Sequence, residues 1–128
     1  MTPGRDQGTV ETTVRDGVVW VRLDGVVMFQ TMLAAVKAAA EATRANATDR
    51  VVFDLRSGTY PAYEAAVLES ARHAANVGLS AALRIAVVGQ EGDPKLAFVR
   101  EVAAYRGAQV GTFSDEAPAI AWVNARRR

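Results

Sequence analysis

Asp54, Arg56 and Ser57 follow the β-prone run Val51-Val52-Phe53, and Thr59, Tyr60 and Tyr63 come a few residues later. Charged and hydroxyl groups at the carboxyl end of a parallel strand lie where α/β sheets form ligand crevices. Tyrosines with a polar tip suit recognition surfaces. These six residues are candidates for binding a partner. The plainer alternative has Tyr60 and Tyr63 packing over the sheet edge and Asp54 capping a turn. His73 is the one histidine, with Glu69 four residues before it. A catalytic pair needs a nucleophile within hydrogen-bond reach, and helical spacing puts His73 opposite the apolar stripe of its helix, so a surface histidine is expected. Gly89, Gly92 and Lys95 sit beside Pro94, but their spacing is not that of a phosphate loop, and Leu96 stands where a hydroxyl would follow the lysine. A well-capped turn is the better reading. The carboxylates are scattered, and no pair shares a helical face with apolar neighbours that would drive two pKa values apart. No catalytic residue and no cofactor is implied.

Composition narrows the classes further. The chain has 128 residues, a formal net charge of +1, 50% hydrophobic residues and no cysteine. Near-neutrality argues against nucleic acid as partner, which needs a concentrated basic field. Without cysteine there is no disulfide or thiolate site, and one histidine makes a zinc or copper site unexpected. No apolar run reaches the roughly 20 residues that span a bilayer, and the polar start lacks a secretory signal. The expected layout is a flexible stretch over 1–9, a single domain over 10–125 and a basic tail over 126–128, in the cytoplasm. Arg126, Arg127 and Arg128 read as a solvated helix end.

The elements that must position the candidates follow from periodicity. Val10–Val14 alternates up to Asp16-Gly17, a favoured hairpin turn. Val19, Val21 and Leu23 then point one way and Trp20, Arg22 and Asp24 the other, as in a half-buried strand ended by Gly25. Phe29, Met32, Leu33, Val36 and Ala40 form one helical stripe, with Lys37, Ala38, Ala39 and Glu41 on other faces. Val51-Val52-Phe53 reads as a central strand ending near Arg56, with a loop over Ser57–Pro61. A second helix from Tyr63 has Val67, Ala71, Ala74 and Gly78 inward, with Leu68 and Ala75 beside them and Gly78 as the left-handed residue past its end. Leu83–Val88 is another strand. Asp93-Pro94 starts a third helix that buries Phe98, Val99, Val102 and Tyr105 and stops at Gly107. Val110–Phe113 is the last strand, and Ser114-Asp115-Glu116 caps a helix with Ala119, Trp122 and Val123 inward. The order β-β-α-β-α-β-α-β-α predicts an α/β fold with a mixed sheet of four to five strands, an initial hairpin, a parallel centre and four helices. Met28 lies off the stripe of the first helix. It is either an exposed apolar helix start, suited to a second subunit or partner, or part of a longer second strand.

Several segments resemble a known family. Leu23-Asp24-Gly25, Val52-Phe53-Asp54-Leu55, Ile85-Ala86-Val87-Val88 and Phe113-Ser114-Asp115-Glu116 running to Ala121-Trp122-Val123 are similar to STAS domains, the fold of bacterial anti-sigma factor antagonists. The resemblance spans Val10 to Val123. It implies a non-enzymatic regulatory module that binds a protein, or else a carrier or sensor of a small hydrophobic or lipid-like ligand. In the antagonists a serine at the start of the helix after the third strand is phosphorylated. That place falls here at Tyr63 or Glu64, and the nearest hydroxyls are Ser57 and Thr59. The resemblance therefore implies a module without the usual phospho-acceptor.

Overall fold

The computed structural model describes residues 8–73, 76, 78–80, 82–105 and 109–125, without the side chains of 102–105. The polar N-terminus, Ala74, Ala75, Gly107, the arginine tail and the side chains of Val102 and Tyr105 lie outside the described residues. The elements are β1 (Thr9–Arg15), β2 (Val18–Val26), α1 (Phe29–Ala45), β3 (Arg50–Thr59), α2 (Tyr63–His73), β4 (Arg84–Val88), α3 (Pro94–Tyr105), β5 (Gln109–Phe113) and α4 (Glu116–Asn124), in the expected order. Asp16 and Gly17 turn the hairpin at φ 52° and 76°, so that Arg15 faces Val18. Positive φ at both central residues matches the twist of the strands they join. At the start of α3, Asp93 Oδ1 accepts the Lys95 amide at 2.9 Å.

The five strands lie in sequence order, β1-β2-β3-β4-β5. β1 and β2 are antiparallel and the remaining pairs parallel. Because each parallel strand is added on the same side of the last, right-handed crossovers place α1, α2 and α3 on one face. The main core lies between them and the sheet, built from Val19, Val21, Leu23, Val51, Ile85 and Val87 against Met32, Ala35, Ala39, Ala66 and Val67. Among the described residues the opposite face receives only α4, whose Ala119 and Val123 cover Val52, Ala86 and Val88. The part of that face formed by β1 and the outer half of β2 therefore has no described helix over it.

Several local expectations are corrected by this layering. Ala39, assigned to an outer face, is fully buried, while Leu33 and Val36 are only half-buried. α1 packs against both the sheet and α2, so its buried arc is turned toward Ala35, Ala39 and Ala40, whose small side chains allow close approach. Trp20, expected on an open face, is 7% exposed because it packs with the α4-side cluster and under Arg15. In α2 the buried residues are Tyr63, Ala66, Val67 and Ser70, whereas Leu68 is exposed. Asp115 occupies the N-cap of α4 but makes no side-chain cap bond. Gly25 does not end β2, which continues to Val26 through its φ of 77°. Gly78 has the left-handed φ expected of it, 89°.

Candidate functional site

The largest departure from expectation creates the site. β3 does not end at Arg56 but runs to Thr59, so residues 57–59, read as loop, are strand. Arg22 pairs with Asp54 while Asp24 pairs with Ser57, so β3 carries an extra residue opposite Leu23. Such a bulge leaves one residue out of the ladder and re-aims its neighbours. Its effect is visible at Arg56, whose amide is accepted by Asp54 Oδ1 at 3.1 Å. The guanidinium then closes on the same carboxylate, Nε to Oδ1 at 3.0 Å and Nη2 to Oδ2 at 2.9 Å. Nη2 also donates to Glu116 Oε2 at 2.8 Å, tying the strand to the first turn of α4. Burial pushes the Asp54 carboxyl up, but the Arg56 hydrogen bonds and charge outweigh it and hold the group below its ordinary value. Beside this trio, Arg22 donates to Asp24 Oδ1 and to Ser57 Oγ, both at 3.2 Å.

Thr59, Tyr60 and Tyr63 belong to different surroundings. Tyr60 donates its hydroxyl to the Leu55 carbonyl at 3.0 Å and meets Tyr63 edge-on at 5.5 Å between ring centroids. Tyr63 packs on Phe98 and is 6% exposed, so its expected role as an exposed tip is overturned and the packing alternative holds. Burial pushes both phenols well above the ordinary tyrosine range. Among the described residues the Tyr63 hydroxyl has no hydrogen-bond partner. Removing such a group relieves desolvation without losing a bond. Tyr63→Phe is therefore expected to leave the melting temperature unchanged or raise it, and a clear fall in a thermal melt would show that the hydroxyl has a partner. The Thr59 hydroxyl reaches the Gly25 carbonyl at 3.5 Å. Met28 stands at the N-cap of α1 and is 47% exposed, and β2 stops short of it at Val26. The exposed helix start, not a longer strand, is what forms.

The sequence candidates thus split into a charged group, Asp54, Arg56 and Ser57, and a mostly buried aromatic pair. Arg22 and Glu116 complete the charged group and were missed. Arg22 had a signal in its alternation with Trp20, but Glu116 is sixty residues from Arg56 and only the fold brings it near. Next to this group, a cleft of about 390 Å³ opens on the uncovered part of the sheet. Glu11, Thr13 and Arg15 of β1, Trp20 and Arg22 of β2, and Asp54 and Glu116 line it. His73 is half-buried, with Nε2 3.8 Å from Glu69 and its ring beside Phe29, and Lys95 is paired with Asp93 at 2.8 Å. Among the described residues no helix is long and apolar enough to cross a membrane.

No family model and no curated protein matches the chain. Two solved structures are similar to it over nearly its whole length. An anti-sigma factor antagonist from Mycobacterium paratuberculosis is 17% identical with a TM-score of 0.62, covering 94% of this chain and 97% of its own. An uncharacterised DUF3478-family protein with a SpoIIAA-like fold from Shewanella loihica PV-4 is 13% identical with a TM-score of 0.61, covering 96% and 98% respectively. With its hairpin, mixed sheet and four helices, the chain shares the fold of both structures, a SpoIIAA-like fold.

Proposed function

We propose that the protein is a non-enzymatic, protein-binding regulatory module of STAS type. It acts in the cytoplasm as a single domain over residues 10–125, without a phospho-acceptor serine. The observation that carries this reading is the likeness, over nearly the full length of both chains, to an anti-sigma factor antagonist. The chemistry of the site supports it. Asp54 spends both carboxylate oxygens on Arg56, and burial keeps both phenols protonated, so neither offers a base or nucleophile at neutral pH.

The docking rim in this reading comprises Arg56, Ser57, Thr59 and Tyr60, with Met28 as an exposed apolar contact. Tyr63 lies beneath it as support. Neither Tyr63, whose hydroxyl is buried, nor Glu64 offers an accessible hydroxyl at the start of α2. The partner contact is then constitutive or set by concentration. The alternative of a hydrophobic small-molecule ligand gains nothing from the cleft, whose lining includes Glu11, Arg15, Arg22, Asp54 and Glu116.

Affinity capture from a lysate of the native host, comparing wild type with the Ser57→Glu/Thr59→Glu double variant, tests the rim. One defined protein should be retained by wild type and lost by the variant, because the added charges alter the exposed rim. Equal recovery by both would place the contact elsewhere, and recovery of no partner would count against the whole reading. Phosphate mapping of the native protein should find Ser57 and Thr59 unmodified; a stoichiometric phosphate on either would restore a switch.

A further inference from the structure

Among the described residues the outer edge of β1 is unpaired in the sheet. Five of its seven residues, Thr9, Val10, Thr12, Thr13 and Val14, are β-branched, which suits a pleated ladder. It contains no proline or lysine, two of the features that commonly guard an exposed edge. In a two-residue hairpin the residues flanking the turn form a hydrogen-bonded pair, and the pattern alternates from there. Arg15, Thr13 and Glu11 therefore direct their backbone groups inward to β2, and Val14, Thr12 and Val10 direct theirs outward. An added antiparallel strand must bond to that second set.

We infer that a second copy of this chain pairs on β1, antiparallel, with the two-fold axis at Thr13. This register sets Thr12 of each copy opposite Val14 of the other as hydrogen-bonded pairs. It also sets Glu11 of each copy opposite Arg15 of the other, twice, in non-hydrogen-bonded pairs where side chains approach most closely. The neighbouring registers are worse. An axis at Glu11 or Arg15 puts like charges face to face, and an axis at Thr12 or Val14 leaves both charges opposite neutral residues. Neither charge is engaged in an ion pair among the described residues. Arg15 instead lies over the Trp20 ring, 4.0 Å from its centroid. Glu11 faces Arg22, which bonds to Asp24 and Ser57. The pairing uses an edge distinct from the rim at the end of β3 and does not depend on the partner reading. The contact is one strand wide, so the dimer is a weak one.

Because the chain has no native cysteine, single cysteines report the register directly. Across the axis the two Thr13 Cα atoms would stand about 4.5 Å apart, within the range a disulfide bridges. Thr13→Cys should form a disulfide dimer under mild oxidation far faster than Thr9→Cys, which lies opposite the hairpin turn. In sedimentation equilibrium the wild type should dimerise with rising concentration. Glu11→Arg should weaken association roughly ten-fold by setting like charges opposite each other twice, and Glu11→Arg/Arg15→Glu should restore it. A wild type that stays monomeric, cross-linking at Thr13 no faster than at Thr9, or a double variant that fails to recover would each overturn the inference. Pairing of the edge with a foreign peptide while the protein alone stays monomeric would do so too.

Discussion

Arg56→Met is expected to lower the free energy of unfolding by about 2 kcal/mol at neutral pH, between the cost of losing an exposed ion pair and that of stranding a fully buried one. The Arg56 side chain is 30% exposed and that of Asp54 only 13%, so the orphaned carboxylate cannot be fully rehydrated. The pH dependence gives the sharper test. In the wild type the Asp54 pKa is depressed below the ordinary 3.8: burial raises it, and Arg56 more than offsets that. A carboxyl depressed in the folded state adds stability above its unfolded pKa, and that stability is lost as pH falls through the folded value. Without Arg56, burial is opposed mainly by the charge of Arg22, and the Asp54 pKa rises. The ionised group then becomes a cost at neutral pH that protonation relieves. The gap between wild type and variant should therefore narrow in mild acid. Urea titrations at neutral and mildly acidic pH measure it, and a gap that is constant with pH would show that Arg56 acts through packing alone.

Leu23→Ala is expected to cost more, about 3 kcal/mol. Leu23 is the largest fully buried side chain described, 1% exposed, and it sits opposite the bulge in β3 between the sheet and the α1–α3 layer. Most of the other buried residues in its cluster are valine and alanine, which are too short to fill the void left by truncation. Against a stability of about 5–15 kcal/mol for a domain of ordinary size, the loss should lower the melting temperature by roughly 10 °C. The urea midpoint should fall while the slope stays the same. A loss below about 1 kcal/mol would mean that the layer collapses to close the cavity.

Element order and topology were legible because they rest on signals of long range along the chain. Alternation in β2, the 3.6-residue stripe of α1 and the Asp93-Pro94 start each survive small errors of boundary. What escaped depends on contacts between segments distant in sequence. The charges of Asp54 and Arg56 look like a strand end, but β2 continues to pair with residues 57–59 once the bulge has absorbed one position. Trp20 looks amphipathic by alternation and is buried because α4, a hundred residues on, brings Ala119, Ile120, Trp122 and Val123 to its cluster. Ala39 carries no stronger hydrophobic signal than Ala38, and only the packing of α1 against the sheet and α2 separates them. Asp54, Arg56 and Ser57 are close in sequence and could be grouped by type and place. The pairing of Arg56 with Glu116 had no local signature, and the burial of Tyr63 reversed what its hydroxyl had implied.

A sheet whose spatial order repeats its sequence order also fixes the order in which surfaces become protected during synthesis. Each strand from β2 onward finds its neighbour already made, so the sheet can grow from one side as the chain leaves the ribosome, with short loops to close at each step. The three crossover helices arrive with the strands they connect and cover their face as it forms. The other face must wait. Val18, Trp20, Val52, Ala86 and Val88 meet their cover only when α4, residues 116–124, emerges at the end. Until then a nearly complete domain presents an apolar strip to its surroundings, so a nascent chain stalled before Glu116 is the species most exposed to aggregation and most dependent on a chaperone.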